Sequence, residues 1–173
     1  LLRSELAFQQ QLGQSAAYGS LPRGPIHADL FRDNVMFEPG GERSGQSSRG
    51  HERLCGFFDF YFAGVDTFLF DIAVCLNDWC IDLSSGAMAD DRAQAFVAAY
   101  AGVRPLTSTE QRLLPALLRA AALRFWLSRL WDLHLPRDAA LLKAHDPGHF
   151  ERVLRARIAQ PWHPDTLPLG TPT

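Results

Sequence analysis

The stretch His27-Ala28-Asp29-Leu30-Phe31-Arg32-Asp33-Asn34 lies between short apolar runs, and Asp59 follows Asn34 by 25 residues at the end of another. The pattern predicts a short strand over residues 26–30, a polar loop, a second strand over 35–37, and a buried strand over 54–60 that ends near an aspartate. Asp29 and Asn34 sit five positions apart on one loop and can point into one cleft, which Asp59 can reach from the neighbouring strand. Phosphoryl transfer needs such a set. A carboxylate must accept the proton of the attacking hydroxyl, and oxygen ligands must hold the magnesium that bridges the nucleotide phosphates. Asp29 suits the base, and Asn34 and Asp59 suit the ligands. Hard oxygens without cysteine or paired histidine favour magnesium over zinc.

Outward from this stretch the pattern changes. From Glu38 to Arg53 the chain is rich in Gly, Ser, Arg and Glu, and predicts a long, loose hairpin connection. Upstream, residues 4–18 carry Leu6, Phe8 and Leu12 at helical spacing, ended by Gly19 to Pro25. Downstream the chain reads as helical. One helix is expected to open at Asp71 in a capping position, and a second to cover 90–101 with Phe96, Val97 and Tyr100 inward. A long third is expected over 110–133, capped by Ser108 or Thr109 with Pro115 in its first turns, and a fourth over 147–159. The tail from Pro161 holds four prolines and is expected to be loose. The expected architecture is α+β and mainly helical, with a small β-hairpin carrying the polar residues.

Composition excludes several classes. The chain has 173 residues, 47% hydrophobic and 21% charged, which suits one domain or one lobe and rules out bulk disorder. A net charge of −2 argues against a general nucleic-acid binder, and no apolar run is long enough for a membrane helix. The opening Leu1-Leu2-Arg3-Ser4 does not resemble a signal peptide. Cys55, Cys75 and Cys80 form no disulfide framework or zinc knuckle and read as small buried hydrophobes of a reducing, cytoplasmic protein. Trp79, Trp126 and Trp131 read as core anchors. Only one of the 17 basic residues is a lysine, Lys143.

His27-x-Asp29-(x)4-Asn34 followed by Phe58-Asp59-Phe60 resembles the catalytic and metal loops of the aminoglycoside-phosphotransferase and choline-kinase superfamily, which shares the protein-kinase-like fold. With Asp59-Phe-Tyr-Phe-Ala63, Phe70-Asp-Ile-Ala-Val74, Asn77-Asp-Trp-Cys80 and residues 124–137, the chain resembles the homoserine kinases of that superfamily from about Leu21 to Pro164. The resemblance implies that Asp29 is the base, that Asn34 and Asp59 bind magnesium, and that His27 shapes the loop. It also implies that Asp71 braces the loop through backbone hydrogen bonds. The implied reaction is ATP-dependent phosphorylation of L-homoserine to O-phospho-L-homoserine, a step toward threonine. The substrate's carboxylate invites Arg32, Arg124 or Arg129, and its ammonium invites Asp33 or Asp78.

Kinases of this fold carry an N-terminal nucleotide lobe with a strand-borne lysine. Nothing before Leu21 resembles that lobe, and Lys143 lies far downstream in helical context. With its leucine start, the chain is expected to be the C-terminal catalytic lobe of a longer kinase over residues 1–164, with a loose tail over 165–173. Alone it is expected to be nearly inactive, and the nucleotide lobe is expected to pack on it. The rival readings are a choline, ethanolamine or aminoglycoside kinase, and a non-catalytic kinase-like binding module.

Overall fold

The computed structural model describes residues 1–38, 52–135 and 145–165. Its first elements are helices α1 (Leu2–Gly13) and α2 (Ala16–Gly19), followed by strand β1 (Arg23–Ile26). The polar loop holds a single 3-10 turn, Arg32–Asn34, and leads into β2 (Val35–Glu38). Then come β3 (Arg53–Phe57), a second 3-10 turn at Phe60–Phe62, and β4 (Gly64–Thr67). Four helices complete the chain: α3 (Phe68–Trp79), α4 (Asp90–Val103), α5 (Ser108–His134) and α6 (Gly148–Ala159).

The strands form two antiparallel ribbons. β1 pairs with β4, Ile26 facing Gly64, and β2 pairs with β3, Val35 facing Phe57, with an irregularity between Met36 and Phe37. Isolated two-stranded ribbons are marginal in water, so the helices must support them. α3 does this. It follows β4 directly, and Leu69, Ile72, Ala73, Val74 and Leu76 are fully or almost fully buried. A helix this apolar on most of its circumference belongs in a core centre. α5 packs along it through Leu114, Leu118, Ala121 and Ala122, the alanines permitting close approach, and α6 adds Phe150, Val153 and Leu154.

Buried polar groups join these helices. Asn77 Nδ2 donates to the Leu118 carbonyl at 2.8 Å, and Arg157 Nε donates to Asn77 Oδ1 at 2.9 Å. Burial lowers the Arg157 guanidinium to about 10. Glu5, 2% exposed, takes a two-point grip from Arg119 at 3.0 and 2.5 Å, fixing α1 to α5.

Several sequence expectations are corrected. The first helix breaks at Gly13, and Ser15 caps a separate turn by accepting the Tyr18 N–H. The first strand ends at Ile26 because Ala28 adopts a left-handed backbone, φ 63°, which no strand continues through. The third ends at Phe57, since Asp59 is left-handed as well. The strand β4 has no counterpart among the predicted elements. α3 begins at Phe68, so Asp71 lies in its first turn and caps nothing on its own helix. Thr107 caps α5 in a reciprocal box with Glu110, ahead of the expected Ser108 or Thr109. Cys55 is exposed, whereas Cys75 and Cys80 are buried. Trp126 is buried but Trp131 is 60% exposed. Trp162, in the expected loose tail, is buried and donates to Asp90 Oδ1 at 2.7 Å. α4 and α6 lie where expected. Lys143 and most of the Glu38–Arg53 connection fall outside the described residues.

Two outcomes follow from this packing. Gly86 has φ 75°, and a Cβ there would lie 2.9 Å from the Val153 backbone nitrogen. Gly86→Ala is expected to cost about 2 kcal/mol in urea denaturation, combining left-handed strain with overpacking. Burial raises the thiols of Cys75 and Cys80, so a thiol reagent at neutral pH is expected to label only Cys55 in the native chain and all three after unfolding.

Candidate active site

The site is built around a backbone conformation that costs energy. Among the described residues, Ala28 and Asp59 are the non-glycine residues with positive φ, at 63° and 62°. A left-handed L-residue costs about 1–2 kcal/mol, so surrounding contacts must hold each one. Ala28 is held from two sides. From α3, the Asp71 carboxylate accepts the N–H of His27 at 2.8 Å and of Ala28 at 2.6 Å. From α5, an Arg124 N–H donates to the Ala28 carbonyl at 2.8 Å. Asp29 follows directly.

Asp59 is brought to this loop through its neighbour. His27 Nε2 lies 2.9 Å from the Phe58 carbonyl, which can only accept, so Nε2 carries the proton and donates. The Phe58 N–H donates to the Asn34 carbonyl at 3.1 Å. The segment before Asp59 is thus tied to both ends of the loop. The 3-10 turn Phe60–Phe62 carries the chain away, and the Phe60 ring packs on His27 at 4.8 Å between centroids.

Asn34 is 9% exposed. Its Nδ2 donates to the Asp29 carbonyl at 2.7 Å and lies 3.4 Å from Asp29 Oδ2. No donor among the described residues bonds its Oδ1, which leaves that oxygen for a ligand. Partial burial raises the Asp29 carboxyl above the ordinary aspartate range; Arg124 opposes the rise, and Asp59 adds to it. Asp29, Asn34 and Asp59 therefore share one neighbourhood, with an amide oxygen and two carboxylates. Those donors suit a hard divalent cation.

The remaining predicted residues divide into three situations. Arg32 and Asp78 bond each other: Nε and a terminal nitrogen of Arg32 reach the carboxylate at 3.1 and 3.3 Å, and the Arg32 N–H adds 2.8 Å. This pair fastens the loop to the end of α3. Asp33 is exposed on the 3-10 turn. Arg129 donates to the Asp146 carbonyl at 3.2 Å and stands 4.4 Å over the Phe150 ring; Asp78 and Asp33 lie within its electrostatic reach.

Sequence reasoning missed several supports. Trp79 Nε1 donates to the Leu30 carbonyl at 3.1 Å, and Phe31 packs on Phe125, 4.5 Å between centroids. The carbonyls of Ala28, Leu30 and Phe58 are the acceptors here, and a backbone acceptor leaves no mark in a residue pattern. A cavity of about 590 Å³ opens beside His27 and Asp71, lined by Pro25, Leu30, Phe57 and Phe60 among others.

An aspartate on a braced loop, an asparagine five residues on and a second aspartate beyond the neighbouring strand thus form one polar cluster. A sequence profile of the phosphotransferase enzyme family matches residues 1–106, and the chain belongs to that family. Among curated proteins, the chain is similar to the homoserine kinase of Polaromonas naphthalenivorans (strain CJ2), 65% identical over 162 residues, covering 94% of this chain and 48% of that protein. The homoserine kinase of Ralstonia pickettii (strain 12J) is 61% identical over 158 residues, covering 91% of this chain and 46% of that protein. The homoserine kinase of Cupriavidus taiwanensis is 56% identical over 170 residues, covering 98% and 49%. The chain spans about half the length of the curated relatives it matches.

Asp71→Ala strands two loop N–H groups and is expected to cost about 2 kcal/mol or more in thermal or urea unfolding. Ala28→Gly removes the left-handed penalty and is expected to return about 1 kcal/mol of that loss in the double variant.

Proposed function

We propose that this chain carries the chemical half of an ATP-dependent kinase that phosphorylates the hydroxyl of L-homoserine, giving O-phospho-L-homoserine and ADP. The observation that carries this reading is the Asp29–Asn34–Asp59 cluster on a loop braced by Asp71. The names of the relatives supply the substrate.

In this reading Asp29 orients the substrate hydroxyl and accepts its proton. Its raised carboxyl brings its basicity closer to neutral pH, which helps a base. The Oδ1 of Asn34 and the Asp59 carboxylate would hold magnesium, which supplies charge neutralisation for the transferring phosphoryl group. Little covalent work is left to the protein, so positioning and electrostatics dominate. Arg32 and Asp78 already satisfy each other, so Arg129 and Asp33 are better placed to receive the substrate's carboxylate and ammonium.

The nucleotide is held between this chain and a further lobe. Support comes from the exposed apolar face beside the site: Tyr61 is 81% exposed, Val65 76% and Phe60 56%. Large apolar side chains exposed together in this way mark an interaction surface. No helix among the described residues is long and apolar enough to cross a membrane.

The test is magnesium-dependent ADP release with L-homoserine, choline and an aminoglycoside. It uses the chain alone and a chimera that supplies the rest of the Polaromonas relative. The chimera is expected to turn over homoserine, the chain alone to be nearly inactive, and Asp29→Asn to lose about 10²–10⁴ in kcat. Turnover with only a cationic substrate overturns the substrate, and full activity of Asp29→Asn overturns the base. As the base, Asp29 works only after losing its own proton. The acid limb of kcat/KM is therefore expected above the ordinary aspartate range, with activity falling as pH drops through it.

A further inference from the structure

Arg124 stands where α5 meets the loop. Its guanidinium lies 4.6 Å over the Phe62 ring and 4.3 Å over the Phe125 ring, and one N–H reaches the Ala28 carbonyl at 2.8 Å. It also lines a small cavity with Ile26, Ala28, Phe62, Asp66 and Phe70. Cation–π contact with two rings restrains the guanidinium where its N–H meets the Ala28 carbonyl.

The acceptor matters because of peptide geometry. The Ala28 carbonyl and the Asp29 N–H belong to one planar unit. Asp71 holds the peptide N–H groups before Ala28 Cα, and Arg124 holds the carbonyl after it. Together they restrain the peptide planes on both sides of Ala28, whose φ is 63°. Asp71 alone controls only the first side. With the carbonyl unheld, relaxation of Ala28 toward ordinary backbone torsions would turn the Asp29 Cα–Cβ bond and loosen the two Asp71 bonds with it.

We propose that Arg124 is a positioning residue that sets the direction of the Asp29 side chain by clamping the Ala28 carbonyl. This gives Arg124 a task other than binding the substrate carboxylate. It rests on the reading of Asp29 as the base, but its structural half is testable without nucleotide or substrate.

The experiment compares Arg124→Met, Arg124→Lys, Ala28→Gly and the Ala28→Gly/Arg124→Met double variant, with exposed Arg112→Met as a control. In the free chain, the Cα and Cβ NMR shifts of Ala28 report its backbone region. Arg124→Met is expected to move them away from left-handed values and to speed exchange of the His27 and Ala28 amides roughly tenfold. Arg124→Lys, which still offers an N–H to the carbonyl, is expected to keep both near wild type. In the active chimera, Arg124→Met is expected to lower kcat roughly tenfold with the homoserine KM unchanged. The loss is expected to shrink in the Ala28→Gly background, because glycine adopts the left-handed state without the penalty.

Unchanged Ala28 shifts and exchange in folded Arg124→Met, with a raised KM, overturn the proposal and return Arg124 to the substrate. If Arg124→Met does not fold, Arg124→Lys decides: near-wild-type shifts support the clamp, and lost left-handed shifts overturn it. Failure of the base reading shows separately, as an active Asp29→Asn chimera.

Discussion

Two hydrogen bonds from one carboxylate organise the candidate site of this chain. Asp71 accepts the N–H groups of His27 and Ala28 at 2.8 and 2.6 Å, and both bonds are charge-assisted. They hold an alanine in a backbone region that alanine avoids. Without them the chain would run on from β1 as an extended strand, and Asp29 would face elsewhere. The same brace presents His27 to the Phe58 carbonyl, which brings Asp59 within reach. One buried-side contact thus places the polar groups of two separate loops.

The helical body keeps that carboxylate in place. Asp71 sits in the first turn of α3, whose next residues are the centre of the core. α5 and α6 pack against α3 and are cross-linked to it by Asn77 and Arg157. Moving Asp71 would require moving a helix with several fully buried side chains, each worth about 1.5–3 kcal/mol of burial. The ribbons, by contrast, are narrow and expose much of their apolar surface. Rigidity lies in the helices, and the strands serve to carry loops between them.

The grouping of the candidate site was legible because it depends on side-chain type and spacing: Asp29, Asn34 and Asp59 share one neighbourhood. The bracing role of Asp71 was likewise legible, through the resemblance of its motif, although its expected capping position was wrong. The helices α4, α5 and α6 were legible from periodicity. What escaped depends on backbone geometry. The left-handed turns at Ala28 and Asp59 ended two strands early, since neither residue advertises that conformation as glycine would. β4 is only Gly64–Thr67, too short for an alternating pattern. Trp131 was misjudged because size alone does not place an aromatic ring, and the tail expected to be loose is held at Trp162 by burial and the Asp90 acceptor. The Arg32–Asp78 pair was missed as a pair, because 46 residues separate its members in the chain.

In the proposed function Asn34 and Asp59 converge on one divalent-cation position beside Asp29. Manganese in place of magnesium, titrated with ATP into the isotopically labelled chain, tests it directly, since paramagnetic broadening reports even weak binding. The account predicts broadening centred on the amides of Asn34 and Asp59, spreading to Asp29 and abolished by Asp59→Asn. Broadening centred on any other part of the chain, or persisting unchanged in Asp59→Asn, would contradict it.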